Sequence, residues 1–386
     1  MEIQSSFSIL LIILSLGLII PELFKKIKLP FITGIILAGA VLGPNAINII
    51  EIDQTIEFFG LLGMIFLMLI AGLDTNLDHL KKMKHKIFII SGFNGIIPFT
   101  TGFLIATHFG YDVLTSFIVG IVFISSSVAL LITMFKNSKL FNKKIGQITT
   151  SSILMLDAFS LLALTLVFHE KNQNTTLPSI IYLIVLFVTV FAIFYLLPKF
   201  TKIMFKHYLK SGSKENELRL AIVVIMGVLV IFSFLNVHAI LSAFIAGVTL
   251  SHIIKSERLY SKIKTIGYSF FIPVFFFVIG MELDLNAFTK LNEGTFVISS
   301  LVLGLLIAKL LSGYFGGRFI GLKNKESALY GSASTVHLTT ALAITYAAMS
   351  KNILDNVLVT SIIMITIIST IVGPILFKWI NTHVTN

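Results

Sequence analysis

The chain has 386 residues, of which 56% are hydrophobic and only 12% are charged. Soluble globular domains carry about 25% charged residues, so this composition excludes a soluble globular protein and indicates an integral membrane protein, as does the mean hydropathy of +0.97. There is no cysteine, which excludes disulfides, thiolate metal sites and a cysteine nucleophile. The formal net charge is +11, and its meaning depends on where the basic residues lie.

Apolar runs of about 17–25 residues, the length that crosses a bilayer as a helix, occur thirteen times along the chain. They predict transmembrane segments at residues 5–21, 30–48, 57–73, 87–108, 113–135, 145–168, 178–198, 218–236, 238–254, 266–281, 294–317, 327–349 and 356–380. Segments two and nine are short and are interrupted by glycine. Segment one has no basic region before it and runs into Pro21-Glu22, so we expect a retained helix rather than a signal peptide.

Lysine and arginine alternate from loop to loop. The loops and tail on one side of the predicted membrane hold 25 of the 29 basic residues. The other side holds Lys171, Lys290 and Lys351, and Lys309 lies inside a segment. The positive-inside rule therefore predicts a multi-pass protein of the bacterial cytoplasmic (inner) membrane, with its N-terminus outside and its C-terminus in the cytoplasm. The basic charge is explained by topology and does not indicate a nucleic-acid partner.

The sequence repeats itself weakly at one fixed offset of 208 residues. The matches are Ala38-Gly39 with Ala246-Gly247, residues 72–77 with 280–285, and Ser126-Ser127-Val128 with Ser334-Thr335-Val336. Three matches at one offset indicate a duplication, and a shift of seven helices makes the halves inverted. We therefore predict an all-α polytopic membrane protein with about 13 transmembrane helices. Residues 1–386 form one transport domain, with repeat one at 1–170, a linker helix and loop at 171–216 and repeat two at 217–386. Inverted repeats are typical of secondary transporters, whose substrate site lies near the bilayer midplane.

Asp157 is the candidate ion-binding residue. It lies at the middle of segment six, about 18 Å along the helix from either end, which is too deep for its short side chain to reach water. One interpretation is a structural aspartate paired with a neighbouring helix. The other is a carboxylate that binds a cation when ionised and a proton when neutral, since hard cations such as Na⁺ prefer oxygen ligands and burial disfavours the charged form.

Lys309 is the second deep ionisable residue, in segment eleven. A lysine in that position can extend its ammonium to the interface, but the small residues around it favour close helix packing and a location inside the protein. Its candidate roles are a counter-charge for Asp157 and a neutraliser of helix-end dipoles. The remaining acidic residues near helix ends are expected to be solvated rims that attract cations; they are Asp74, Asp78, Glu282 and Asp284.

Two hydroxyl-rich stretches occupy equivalent places in the repeats. They are Ser125-Ser126-Ser127-Val128 in segment five and residues 332–340 in segment twelve. Hydroxyls in membrane helices commonly bond to a carbonyl one turn back, but paired clusters also predict discontinuous crossing helices that direct half-helix ends at an ion. Ser126, Ser127 and Thr335 are therefore candidate cation ligands together with Asp157. His337 is either a hydrogen-bonded core histidine or a residue that responds to pH.

The sequence resembles the bacterial monovalent cation/proton antiporter family of the NapA, GerN and Kef type. The resemblance is carried by five stretches: 30–44, Ile70-Ala71-Gly72-Leu73-Asp74, Phe244-Ile245-Ala246-Gly247, 273–281 and Lys309-Leu310-Leu311-Ser312-Gly313. It implies an elevator-like antiporter, usually a homodimer, with helices 4–6 and 11–13 as a mobile ion-binding core. It also implies that Asp157 binds the ion, that Ser126 and Ser127 form the crossover, and that Lys309 is the core lysine.

Three departures from the family's pattern bear on the transported ion and the stoichiometry. Leu156 stands where sodium-selective electrogenic members carry a first aspartate, and Val336-His337-Leu338 replaces a frequent Arg-Gly-Glu. Unlike for Kef proteins, a nucleotide-binding regulatory domain after residue 386 is not expected. We expect an electroneutral exchange of Na⁺, K⁺ or both for H⁺, with a role in pH homeostasis and without a cofactor.

Other functions of a polytopic protein were weighed against this one. The alternative is a sodium-coupled carrier of an organic anion on a related inverted-repeat fold. Intramembrane hydrolysis is disfavoured, because an aspartyl protease needs two deep aspartates and a zinc protease needs a His-Glu-x-x-His helix. A membrane sensor without transport would be excluded by flux in liposomes.

Overall fold

The computed structural model describes residues 2–27, 31–51, 53–74, 84–171, 178–208, 214–251, 257–284 and 293–384. All regular secondary structure in these ranges is helical. The α-helices are α1 (Glu2–Ile27), α2 (Phe31–Leu42), α3 (Gln54–Leu73), α4 (Lys84–His108), α5 (Val113–Ile124), α6 (Val128–Asn137), α7 (Lys144–Lys171), α8 (Ser179–Tyr208), α9 (Lys214–Ser233), α10 (Ala239–Ser251), α11 (Glu257–Ile266), α12 (Ile272–Met281), α13 (Glu293–Phe319), α14 (Asn324–Ser334), α15 (Thr339–Met349) and α16 (Asn356–His383). A short π-helix, Gly267–Phe271, joins α11 to α12.

The thirteen predicted segments are confirmed as helical, and segments five and twelve are each broken into two half-helices. In the described ranges, ten helical stretches are long and apolar enough to cross a membrane. The helices of segments two and nine are short, as predicted. With 12 and 13 residues, α2 and α10 are about 18–20 Å long, which is less than the hydrocarbon thickness of about 30 Å.

The structure corrects the predicted start of segment ten. The apolar run predicts a start at residue 266, but the helix already begins at Glu257. Leu259 and Ile263 are buried there, and their i, i+4 spacing forms an apolar stripe that holds the basic turns against the protein. Segment two ends at Leu42, earlier than predicted, because the chain turns at the following Gly43-Pro44.

The chain divides into two compact units. The first comprises Met1–Glu57, Asn76–Ser160 and Phe276–Asn386, and the second comprises Phe58–Thr75 and Leu161–Phe275. The first unit therefore contains α1, α2, α4–α6, most of α7, most of α12 and α13–α16. Its core includes the rings of Phe135 on α6 and Phe377 on α16, with centroids 4.9 Å apart. Segments from both predicted repeats occur in each unit, and the repeat boundaries stay a prediction.

In the first unit, glycines allow the backbones of α2 and α12 to touch. A Cβ atom on Gly39 would lie 2.2 Å from the carbonyl oxygen of Phe277, and one on Gly280 would lie 2.2 Å from that of Ile36. Both distances are far below van der Waals contact. Only glycine therefore fits at either position without separating the two helices.

In the second unit, α3 and α10 make the same kind of contact. A Cβ on Gly247 would lie 2.1 Å from the carbonyl oxygen of Leu69, and one on Gly72 would lie 2.2 Å from that of Phe244. Each of these pairs corresponds to a pair in the first unit when 208 is subtracted from one residue number and added to the other. The offset found in the sequence therefore also relates helix contacts, which supports the predicted inverted repeat.

Two of the acidic residues at helix ends, Asp74 and Glu282, differ from the predicted solvated rim. In the second unit the Asp74 carboxylate lies 3.1 Å from the Lys264 ammonium and accepts a hydrogen bond from the Tyr260 hydroxyl. In the first unit burial raises the pKa of Glu282 above its ordinary value, with Glu57 adding to the effect. Asp78 lies outside the described residues.

Candidate functional site

Two interrupted helices meet in the first unit. Residues 125–127 are extended between α5 and α6, and residues 335–338 separate α14 from α15. The Ser127 amide donates to the carbonyl of Val336 over 2.6 Å, and the Ser126 hydroxyl donates to the carbonyl of Ser334 over 2.7 Å. Ser126 and Ser334 are separated by the repeat offset of 208. The discontinuous crossing predicted from the hydroxyl clusters is present.

Each break creates two new helix ends at the crossing. The last carbonyls of α5 and α14 have no partner within their own helix, and neither do the first N–H groups of α6 and α15. A helix end carries about half an elementary charge, negative at carboxyl ends and positive at amino ends. The crossing therefore offers separate places for an anion and for a cation.

Asp157 lies at amino ends. Its side chain is 1% exposed, and its Oδ1 accepts a hydrogen bond from the Ser126 amide over 3.3 Å, just before α6 begins. The Thr340 hydroxyl, on the second residue of α15, is a further polar neighbour. Among the described residues, Asp157 has no cationic partner within 4.0 Å, so the structure does not support the interpretation of a salt-bridged structural aspartate.

Lys309 lies at a carboxyl end instead. Its side chain is fully buried. Its Nζ donates to the carbonyl of Ile124, the last residue of α5, over 2.7 Å, and to the Ser126 hydroxyl over 3.2 Å. It also donates to Oδ1 and to the main-chain oxygen of Asn94, over 3.0 and 3.3 Å. Of the two predicted roles, the geometry favours neutralisation of a helix end over direct pairing with Asp157.

Asn94 is a residue of this site that the sequence analysis did not predict. This side chain is fully buried on α4, and its amide donates to the hydroxyls of Ser334 and Ser312 over 3.0 and 3.2 Å. A signal was available, since an amide within an apolar membrane helix is costly unless it is hydrogen-bonded. The identity of its partners could not be read from the sequence.

The other predicted ligands differ in their surroundings. The Ser127 hydroxyl is buried without a hydrogen-bond partner, so it is free to bind an ion. The Thr335 hydroxyl donates to the carbonyl of Ser332 over 2.8 Å, and a Cβ on Gly373 of α16 would lie 2.9 Å from it. It thus makes the local bond that membrane helices commonly use, and its role as a ligand stays a prediction.

His337 is a fully buried core residue. Its Nδ1 lies 2.8 Å from the carbonyl of Thr335, and its main-chain amide donates to the Ser369 hydroxyl over 3.0 Å. Because a carbonyl only accepts, Nδ1 carries the proton. Its Nε2 is buried without a hydrogen-bond partner. These contacts agree with a hydrogen-bonded core histidine, and its role in pH response stays a prediction.

The oxygen atoms at the crossing suit a monovalent cation. Asp157 supplies a carboxylate and Ser127 supplies a hydroxyl without a partner. The breaks add main-chain carbonyls, and oxygen atoms of these kinds are the hard ligands that such an ion prefers. Among the described residues there is no group of three or more histidine, cysteine or acidic residues that could hold a metal ion. One carboxylate among neutral oxygens can be neutralised by a single positive charge.

The chain is similar to known proteins along nearly its whole length. Residues 10–382 match the family model of the transmembrane sodium/hydrogen exchanger. The chain is 28% identical to the probable Na⁺/H⁺ antiporter 3 of Methanocaldococcus jannaschii, over 98% of this chain and 97% of the relative. It is 25% identical to the Na⁺/H⁺-K⁺ antiporter GerN of Bacillus cereus, over 98% of this chain and 97% of the relative.

The fold is also that of a solved antiporter. The sodium/proton antiporter MjNhaP1 from Methanocaldococcus jannaschii superposes with a TM-score of 0.75 over 98% of this chain and 97% of that chain, at 18% identity. The resemblance stated from the sequence motifs is thereby confirmed, and so are the all-helical multi-pass architecture and the assignment to transporters rather than enzymes. The chain belongs to the transmembrane sodium/hydrogen exchanger family.

Proposed function

We propose that this protein is a secondary antiporter that exchanges Na⁺ for H⁺ through Asp157, with K⁺ as a second transported cation. The observation that carries the proposal is a buried carboxylate at the amino ends of two half-helices, to which no cationic side chain is bound in the part of the chain that the structure describes. Such a carboxylate must acquire a positive partner or a proton, because an uncompensated buried charge is costly. Sodium and proton then compete for the same group.

The competition gives a simple exchange cycle. With Na⁺ bound, the carboxylate is ionised and compensated by the cation, and the Ser127 hydroxyl supplies a neutral ligand. With H⁺ bound, the carboxylate is neutral. Both loaded forms bring the same charge to the crossing, and the empty ionised form is the one that burial disfavours. Tight coupling follows, because the carrier crosses the membrane most readily when one ion or the other is bound.

We further propose that each turnover exchanges one cation for one proton. The Lys309 ammonium has three protons and four oxygen acceptors between 2.7 and 3.3 Å. None of these oxygens belongs to an acid, so binding of Na⁺ at Asp157 removes no partner from Lys309. A lysine that keeps its proton throughout adds no second proton to the cycle. The exchange is then electroneutral.

The proposal extends to the moving part of the protein, its oligomeric state and its orientation in the membrane. Asp157, Lys309 and the two crossings all belong to the first compact unit, as an elevator-like carrier requires of its moving body. We propose that this unit carries the ion, that the protein is a homodimer, and that its N-terminus lies outside the bacterial cytoplasmic membrane. The alternation of basic loops supports that orientation.

The test is a panel of Na⁺, K⁺ and Li⁺ gradients imposed on proteoliposomes that contain a pH dye. We expect addition of Na⁺ to drive proton movement. Proton movement after addition of K⁺ tests whether K⁺ is also transported, as the name of the GerN relative suggests. Vesicles without protein are the control for leakage. Absence of proton movement with every cation would contradict the proposal.

A further inference from the structure

Asn94 is the residue at this site to which neither the sequence motifs nor the ion-binding proposal gives a role. It lies on α4 and is fully buried. Its Oδ1 lies 3.0 Å from the Lys309 Nζ, and its main-chain oxygen lies 3.3 Å from the same atom. An ammonium group only donates hydrogen bonds, so the amide oxygen and not the amide nitrogen must face it. This fixes the orientation of the Asn94 side chain.

The amide nitrogen of Asn94 then faces the break in segment twelve. It donates to the hydroxyl of Ser334 over 3.0 Å and to that of Ser312 over 3.2 Å. Ser334 is the last residue of α14, and its carbonyl accepts the hydrogen bond from Ser126, which lies in the break in segment five. One side chain thus connects the buried ammonium with the break in segment twelve, and through Ser334 with the break in segment five.

We propose that Asn94 is a positioning residue of the exchange reaction, which holds the Lys309 ammonium against the carboxyl end of α5 while α14 and α13 are held by its amide. The inference rests on the proposed function. Asn94 does not touch the cation; it acts through Lys309.

Three variants separate this role from simple packing. Asn94→Leu removes both the acceptor for Lys309 and the donors to the serines. Asn94→Asp keeps an oxygen for Lys309, loses the donors to the serines and adds a carboxylate. Thr101→Val is a matched control on α4, where the hydroxyl bonds only to the carbonyl of Ile97 in its own helix. All three are purified and reconstituted, and their exchange is compared with that of the wild type.

Loss of a hydrogen bond to a buried charged group corresponds to about 10- to 100-fold in a rate. We therefore expect Asn94→Leu to lower the maximal exchange rate by that factor with little change in the KM for Na⁺, because Asp157 is untouched. Asn94→Asp should recover most of the rate, and Thr101→Val should match the wild type. Equal impairment of the Leu and Asp variants would overturn the proposal, as would an unimpaired Asn94→Leu.

A second measurement does not depend on transport. The wild type and both Asn94 variants, in detergent, are treated with an amine-acetylating reagent, and modification of Lys309 is quantified by mass spectrometry. The proposal predicts faster modification in Asn94→Leu only. Equal modification in all three would overturn it even if no exchange is measured. A wild type that shows no exchange, with the predicted labelling, would count against the proposed function alone.

Discussion

Imposing a membrane potential tests the proposed stoichiometry. Moving one elementary charge across 100 mV corresponds to about 2.3 kcal/mol, or about fiftyfold in an equilibrium ratio. Asp157 is the one buried acid at the crossing among the residues that the structure describes, and Lys309 is held by oxygens that do not titrate. One titrating carrier group per cycle means that no net charge moves, so the position of equilibrium should not respond to voltage.

The assay finds the pH gradient at which a fixed Na⁺ gradient causes no proton movement in proteoliposomes. Potassium gradients with valinomycin set the potential at +100 or −100 mV, and a voltage-sensitive dye verifies it. Vesicles without a Na⁺ gradient report any K⁺/H⁺ exchange, which is subtracted. We expect the same balance point at both potentials. With two protons per Na⁺, each 100 mV would move it by about 0.85 pH unit. Such a shift would refute one-for-one exchange and identify Lys309 as a second proton carrier.

Two further predictions concern a ligand and the packing of the helices. Ser127→Ala removes a hydroxyl that has no hydrogen-bond partner, so we expect an unchanged thermal midpoint and a KM for Na⁺ raised by about 2- to 10-fold. The control is Ser332→Ala, because the Ser332 hydroxyl bonds to the carbonyl of Leu329. An unchanged KM in Ser127→Ala would mean that Ser127 serves packing alone. Gly247→Ala should lower the thermal midpoint in detergent, since its Cβ would lie 2.1 Å from a carbonyl oxygen and overpacking costs about 1–3 kcal/mol. Gly227→Ala, with nothing within 4 Å of its Cβ, should leave the midpoint unchanged or raise it, and equal effects of both alanines would contradict the proposed close contact.

Much of the architecture could be predicted from the sequence because the bilayer limits what a chain can do. A helix must be long and apolar to cross, so most of the thirteen segments could be recognised by the length and apolar character of their runs. The two breaks were predicted because hydroxyl clusters at matching places in two repeats are improbable by chance. The start of α11 could not be predicted from an apolar run, because its basic residues are typical of a loop. Its helix depends on two buried apolar residues, Leu259 and Ile263.

The partners of the deep residues could not be predicted in the same way. Sequence placed Asp157 and Lys309 inside the membrane, but their separation depends on how four half-helices cross, which no local pattern encodes. The same holds for Thr335, which shares a motif with the ligand candidates but bonds to its own helix. Asn94 is separated by 215 residues from the lysine that it holds. Only the folded chain brings such residues together.

The central claim is that one carboxylate, Asp157, binds the proton and the cation in turn. The most direct measurement is the number of protons released when Na⁺ is added to the purified protein in weakly buffered detergent solution. We expect up to one proton per chain from the wild type, a similar release from Asp157→Glu and none from Asp157→Asn, which fills the same volume but cannot titrate. Proton release from Asp157→Asn equal to that of the wild type would contradict the account.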